Sequence, residues 1–201
     1  MSDLTFPNRD ITKFREKLNA GGVRSNLFEV EIPDIPGGGA DVSDQIRFLV
    51  KAAEIPASNI GNIPVPFRGR ILPVAGDRTF DPWTVTIIND DFQIRDTMEK
   101  WSDFINNVVL GNGSTDPASY QRNGIVKQLG RSFLGDGKIP VLRQYNFIGI
   151  YPNVISSIPL DYGATDRIEE FQVTFNYLYY TVGALNEDAK ESGLTGPGGL
   201  N

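Results

Sequence analysis

This 201-residue sequence contains neither cysteine nor histidine, which leaves acids, lysines and arginines as its main candidates for charged-group chemistry. That excludes a disulfide, a thiolate nucleophile, a zinc site of the usual kind and an imidazole base. What remains includes carboxylate pairs such as Asp90-Asp91 and Glu169-Glu170, and the neighbouring acid and base Asp77-Arg78. Adjacent residues on a strand point to opposite faces, so Glu169 and Glu170 do not form a catalytic dyad. Asp90-Asp91 stand where a helix is expected to begin, and negative charge there meets the positive end of the helix dipole. Asp77-Arg78 reads equally as part of a turn and as an ion pair at a subunit boundary, where a planar guanidinium makes several bonds at once. Gly111-Asn112-Gly113-Ser114 is glycine-rich but has no framing strand and no lysine ending, so it is not a phosphate loop. The basic residues between Arg122 and Arg143 are scattered, which suits salt bridges or solvated surface better than a nucleic-acid footprint. No catalytic, cofactor-binding or metal site is expected.

The elements that would position these groups centre on Ile71–Gly111. Gly76-Asp77 and Asp81-Pro82 carry turn chemistry. From Trp83 to Ile88 the residues alternate, Trp83, Val85 and Ile87 one way and Thr84, Thr86 and Ile88 the other, which predicts a strand with one face in a core. Asp90 is the expected N-cap of a helix over about 90–110, with Gln93 completing a capping box. Ile94, Met98, Trp101, Ile105 and Val108 form one apolar stripe on it, and the first four are its expected core anchors. Gly111 is the expected left-handed stop.

Around that centre, Asp10–Asn19 suggests a short helix capped by Asp10, and 1–25 reads as an N-terminal arm. Asn26–Ile32 reads as a strand, Pro33–Gly39 as a loop and Gln45–Lys51 as a second strand with Ile46, Phe48 and Val50 on one face. Ala52–Pro66 is punctuated by Pro56, Pro64 and Pro66, so it is no central strand. Its Ile55, Ile60, Ile63 and Val65 would be a liability if exposed on a monomer but suit a docking segment. Gly124–Phe133 is a candidate strand, Gly135-Asp136-Gly137 a hairpin turn, and Lys138–Tyr151 a long strand. Ile168–Thr181 alternates most clearly, with Phe171, Val173, Phe175, Tyr177 and Tyr179 on one face. Residues 183–201 are small and glycine-rich and cannot order themselves by burial.

Length and 40% hydrophobic content suit one domain with a real core, at 26–182. The 21 glycines and 13 prolines favour many short strands over long helices. The fold class expected is mainly β, two packed antiparallel sheets in a small sandwich or barrel with one flanking amphipathic helix. No apolar run near 18 residues and no secretory signal are visible. A formal charge of −6 argues against gripping phosphate backbones, and it suits both an ordinary soluble protein and a conduit that repels DNA.

Gly76-Asp77-Arg78-Thr79-Phe80-Asp81 followed by Trp83-Thr84-Val85-Thr86, then Asn89-Asp90 and a helix with a late tryptophan, resembles the tail tube family of T-even-type contractile-tailed bacteriophages, which is related to the tubes of phage-like injection systems. The similarity spans about Asn26 to about Tyr180. It implies a β domain whose copies close into hexameric rings, stacked into a tube inside a contractile sheath through which DNA is ejected. It places the inter-ring loop at about 52–66, making Ile55, Ile60, Ile63 and Val65 docking candidates, and implies no enzyme and no cofactor. The implied partners are other copies of the chain, the tail sheath protein, baseplate or tube-initiator and tail terminator proteins, the tape measure protein and, transiently, DNA in the lumen; a membrane is not among them. The implied location is the virion tail, assembled in the host cytoplasm. The polar strand faces, with Arg47, Lys51, Gln144, Asn146, Gln172, Thr174 and Asn176, would face either bulk water or that lumen. A tube-initiating baseplate protein, the tube of an injection particle and, in a different class, a monomeric β-sandwich binding module remain the alternatives.

Overall fold

A computed structural model describes residues 11–18, 22–131 and 139–183. The elements in chain order are α1 (Ile11–Lys17), β1 (Phe28–Glu31), α2 (Ala40–Leu49), β2 (Val50–Ala53), β3 (Ser58–Phe67), β4 (Arg70–Phe80), β5 (Trp83–Ile88), α3 (Gln93–Ile105), β6 (Asn106–Asn107), β7 (Asn112–Gly113), α4 (Pro117–Tyr120), β8 (Arg122–Leu129), β9 (Val141–Ile155), β10 (Glu170–Asn176) and β11 (Tyr179–Gly183). The fold is mainly β and antiparallel, as the alternation implies. Seven strands run in the order β1-β8-β9-β10-β5-β2, with β11 beside β9.

Strand β9 joins two sheet halves. Its first part pairs with β8 on one edge and β11 on the other, and its last part pairs with β10. The register of β8 against β9 slips by one residue at Ile148-Gly149, where Gly149 takes φ 70°, and that of β10 slips at Asn153. Each extra residue is a bulge that bends β9 and raises its twist. Pro152 is tolerated mid-strand because it sits beside one of these bulges.

The bent sheet wraps one core. Trp83, Val85 and Ile87 of β5, Phe171, Val173 and Phe175 of β10, and Phe147 and Ile150 of β9 are fully buried. The Trp83 indole stacks on Phe147 with centroids 4.5 Å apart and lies 5.3 Å from Phe175. The sheet is not closed into a barrel. Strands β1 and β2 are its free ends, and α2 packs on β1, β5 and α3 across that side.

Several expectations need correction. Gln45–Lys51 is not a strand: its first part is the end of α2, with Val42 and Ile46 buried one turn apart and Phe48 73% exposed. A short apolar run fits either period, and here the helical one wins. The helix at 90–110 is α3, which starts two residues after Asp91 and ends before Val108. Asp90 is not its cap. The N-cap residue is Phe92, at φ 64°, and Asp91 Oδ1 accepts from the Gln93 amide at 3.2 Å. Gly111, at φ 62°, closes the β6–β7 turn instead of the helix. Ala52–Pro66 is not a loop: most of it is β3, hydrogen-bonded to β4, and only residues 54–57 lack regular structure. Gly76-Asp77 is not a turn but a bulge in β4 opposite Gly61, where the register slips by one. Ile168–Thr181 divides into β10 and β11 at Tyr177-Leu178, because a single straight strand cannot follow the bend of β9. The Gly135-Asp136-Gly137 turn, the Asp10 cap and residues 184–201 lie outside the described residues.

Candidate assembly surface

Strands β3 and β4 form a two-stranded ribbon that pairs with no other strand among the described residues. The register Phe67↔Arg70 leaves two loop residues, Arg68 at φ 45° and Gly69 at φ 79°. Both are left-handed, as a two-residue hairpin turn matched to strand twist requires. Every residue of β3 is exposed, and so is β4 except at Gly76 and Phe80. The ribbon therefore projects from the domain.

Its two faces differ. Counting by twos from the turn, Phe67, Val65 and Ile63 share a face with Leu72 and Val74, which lie opposite in the register. The other face carries Pro64 opposite Pro73, Pro66 opposite Ile71, and Ile60 opposite Arg78. Ile60 is 57% exposed and Phe67 66%. Ile55 precedes the ribbon at its base and is also exposed.

The base is tied down at Asp81. Its amide donates to the Ala57 carbonyl at 3.2 Å, its Oδ1 accepts from Asn59 Nδ2 at 3.0 Å, and its carbonyl accepts from the Tyr177 hydroxyl at 2.9 Å. Phe80 lies 5.3 Å from Tyr180 and 5.9 Å from Tyr177, ring to ring. Burial pushes the Tyr177 phenol from 10.0 up to about 12, with Tyr180 and Asp81 adding to the shift. The ribbon is thus rooted in the aromatic core but uncovered beyond it.

The remaining candidate residues separate into distinct places. Asp77 and Arg78 lie on the ribbon at its bulge, and the five ion pairs among the described residues include neither. Ile94, Met98 and Trp101 are buried in the core, Ile105 is half-buried against it, and Trp101 Nε1 donates to the Tyr120 carbonyl at 2.8 Å. Gln172, Thr174 and Asn176 lie on the solvent side of β10, where Thr174 and Thr84 hydroxyls meet at 3.3 Å and Asn176 Nδ2 donates to the Tyr151 hydroxyl at 3.3 Å. Gln144 and Asn146 are on the solvent side of β9, Gln144 donating to Asn146. Lys51 pairs with Glu170 at 2.7 Å. Arg47 stands apart from a strand face: it is on α2 and pairs with Glu29. The polar set therefore covers outer faces of both sheet halves.

The carboxylate pairs are likewise accounted for. Glu169 accepts from Asn89 Nδ2 at 2.6 Å while Glu170 holds Lys51. Among the described residues no group of acids could hold a metal ion. Within the seven-stranded sheet, β1, β2 and β11 have one neighbour each among the described residues and so present free backbone edges. Sequence reasoning missed the tip between β6 and β7, where Val108, Val109 and Leu110 are all exposed, Val109 at 91%. It also missed the ribbon as a hairpin. Arg68-Gly69 between two apolar runs is a signal for it, weaker than Asn-Gly because arginine disfavours positive φ.

The sequence profile of the family described as phage tail tube protein matches residues 12–183. Tail tube protein gp19 of Enterobacteria phage T4 is 34% identical over 161 residues, covering 78% of this chain and 90% of its own length. The tail tube protein of Serratia phage KSP90 is 27% identical over 172 residues, covering 83% of this chain and 93% of its own. Among solved structures, a chain of the sheath–tube complex of the extracellular contractile injection system PVC shares the fold, with TM-score 0.53, 11% identity, and coverage of 85% of this chain and 97% of that one. A chain from the sheath/tube terminator of the same system reaches TM-score 0.56 at 12% identity, over 81% of this chain and 97% of that one. At such identities the likeness concerns fold alone. With a family profile over most of its length and a relative above 30% identity across both chains, the protein belongs to the phage tail tube protein family.

Proposed function

We propose that this tail tube subunit closes into hexameric rings, that the rings stack into a tube inside a contractile sheath, and that the tube conducts DNA during ejection. The subunit is structural and not an enzyme. The observation that carries the assembly reading is the β3–β4 ribbon, an apolar two-stranded element that no other strand pairs with among the described residues and whose residues are almost all exposed. Left bare, such a surface favours aggregation; covered by neighbouring copies, it supplies the contact between rings. Ile60, Ile63 and Val65 act there, with Ile55 at the base, and the free edges of β1, β2 and β11 offer lateral joining within a ring. A ring of identical subunits needs a heterologous, head-to-tail contact around its axis. Sheath, baseplate or initiator, terminator and tape measure proteins are the corresponding partners.

Excising Ile60–Arg78 and joining Asn59 to Thr79 through Asn-Gly tests this. The core lies elsewhere, so thermal unfolding should remain cooperative with a similar midpoint. Electron microscopy should then find rings or monomers but no long tubes. Full-length tubes from this variant would remove the ribbon from the assembly.

A further inference from the structure

The edges of the ribbon constrain how it can be covered. Pro64 lies directly opposite Pro73, and neither has an N–H, so this can only be a non-hydrogen-bonded pair. Two positions along, Pro66 opposite Ile71 is the same kind of pair, since the kinds alternate. At such pairs the N–H groups point outward, to the ribbon's edges. Prolines therefore delete outward donors at 64 and 66 on β3 and at 73 on β4. The β3 edge thus lacks two outward donors and the β4 edge one, which disfavours addition of another strand and favours a partner that meets the ribbon through its faces and tip.

Charge narrows the partner. The ribbon carries Arg68, Arg70 and Arg78 against Asp77, formally +2 in a chain of −6, which leaves −8 on the rest of the molecule. A basic apolar ribbon on an acidic body is complementary to a second copy of that body. Among the described residues, an acidic acceptor with apolar side chains beside its charges is an open cleft of about 710 Å³ around residues 158–170. Asp161, Asp166, Glu169 and Glu170 outnumber Lys51 and Arg167 there, and Leu160 and Ile168 are exposed on it. Lys51 is already engaged by Glu170. Asp166 makes no ion pair among the described residues and stands free for a partner.

Ribbon and cleft lie at opposite ends of the same strands. Phe175↔Trp83 and Ala53↔Val85 put the ribbon base at the Trp83 end of β5, whereas Glu170↔Ile88 puts the cleft at the other end. A donor at one end and its acceptor at the other suit a heterologous contact, the kind that repeats along a stack when its rotation does not close. The strand β3 is 10 residues long. At about 3.4 Å per residue it reaches roughly 34 Å.

We propose that the ribbon tip of one copy, Phe67 to Ile71, seats in the 158–170 cleft of the next copy along the tube, with Arg68 and Arg70 meeting Asp161 and Asp166. This rests on the tube-forming reading and adds its acceptor. Because the chain has no cysteine, one engineered pair reports on the contact alone. Tubes of the full chain carrying Arg68→Cys and Asp166→Cys, oxidised and run without reductant, should give a ladder of linked multimers that reductant collapses, while either single variant stays monomeric on the gel. Tubes that form yet yield only monomer overturn the contact and leave the tube reading intact. Should the paired variant fail to assemble, charge reversal decides: R68E/R70E and D161K/D166K should each lose tubes, and the quadruple variant should regain them. A quadruple variant without tubes, beside an unaltered chain that forms them, also overturns the contact. An unaltered chain that forms no tubes counts against the proposed function instead.

Discussion

At the scale of single residues, Trp101 and Tyr177 show how much rests on one side chain. Trp101 is fully buried, lies 6.0 Å from Phe175 and gives its indole N–H to Tyr120. Trp101→Ala should cost about 3–5 kcal/mol, from lost transfer energy and the cavity left behind, as read by denaturant unfolding of unassembled subunits. Trp101→Phe should cost less, chiefly through the orphaned Tyr120 carbonyl. Tyr177 gives a pH signature. Its phenol titrates near 12 in the folded chain against 10.0 ordinarily, so the folded state holds the proton more tightly. That contribution is complete below pH 10.0 and is lost as pH rises toward 12. Thermal unfolding from pH 9 to 12 should fall more steeply in the parent than in Tyr177→Phe; parallel curves would refute the coupling.

At the scale of elements, the ribbon is the part with no local reason to exist. A two-stranded hairpin is marginal in water, and this one shows apolar side chains on both faces. Proline at its edge positions is how a sheet edge is protected from adding strands. Replacing Pro64, Pro66 and Pro73 with alanine restores three outward donors while leaving side-chain faces nearly unchanged. Such a variant should aggregate faster than the parent before assembly, into thioflavin-positive material; equal aggregation rates would argue that the prolines act otherwise. The other elements illustrate what was legible. Strands β5 and β10 and the stripe on α3 follow from periodicity, because each buries one face in the same core. The β10–β11 break was hidden, since alternation continues through Tyr177 while the neighbouring β9 bends away. At Gln45–Lys51 the last turn of α2 runs into β2, so a seven-residue window sampled two periods at once.

At the scale of the whole molecule, the issue is which surfaces copies cover and which stay wet. Outward threonine, glutamine and asparagine on β10, at Gln172, Thr174 and Asn176, make a face that neither sticks to nor strongly repels phosphate, within a chain of net −6. If that face lines the channel, Gln172→Arg with Thr174→Arg should leave tubes intact by electron microscopy. Those tubes should retain short double-stranded DNA in a salt-dependent way, which the parent should not. Tubes that ignore DNA after both substitutions would move the lumen to another face. A monomeric binding module would show neither behaviour and would sediment as a single chain at any concentration.

The sequence by itself determined the chemistry that is missing and the faces that are buried. Absent cysteine and histidine are facts of composition, and burial patterns at Trp83–Ile88 and Glu170–Asn176 are local periodicities that one core enforces. It also carried the family resemblance, through the run around Gly76–Thr86. Only the tertiary structure decided that Ser58–Phe80 is a projecting ribbon, that β9 bends between two sheet halves, and that the ribbon and the 158–170 cleft lie at opposite ends of the same strands. Those are matters of pairing between residues far apart in the chain. Local pattern fixes which face of a strand is apolar, but not which strand lies beside it.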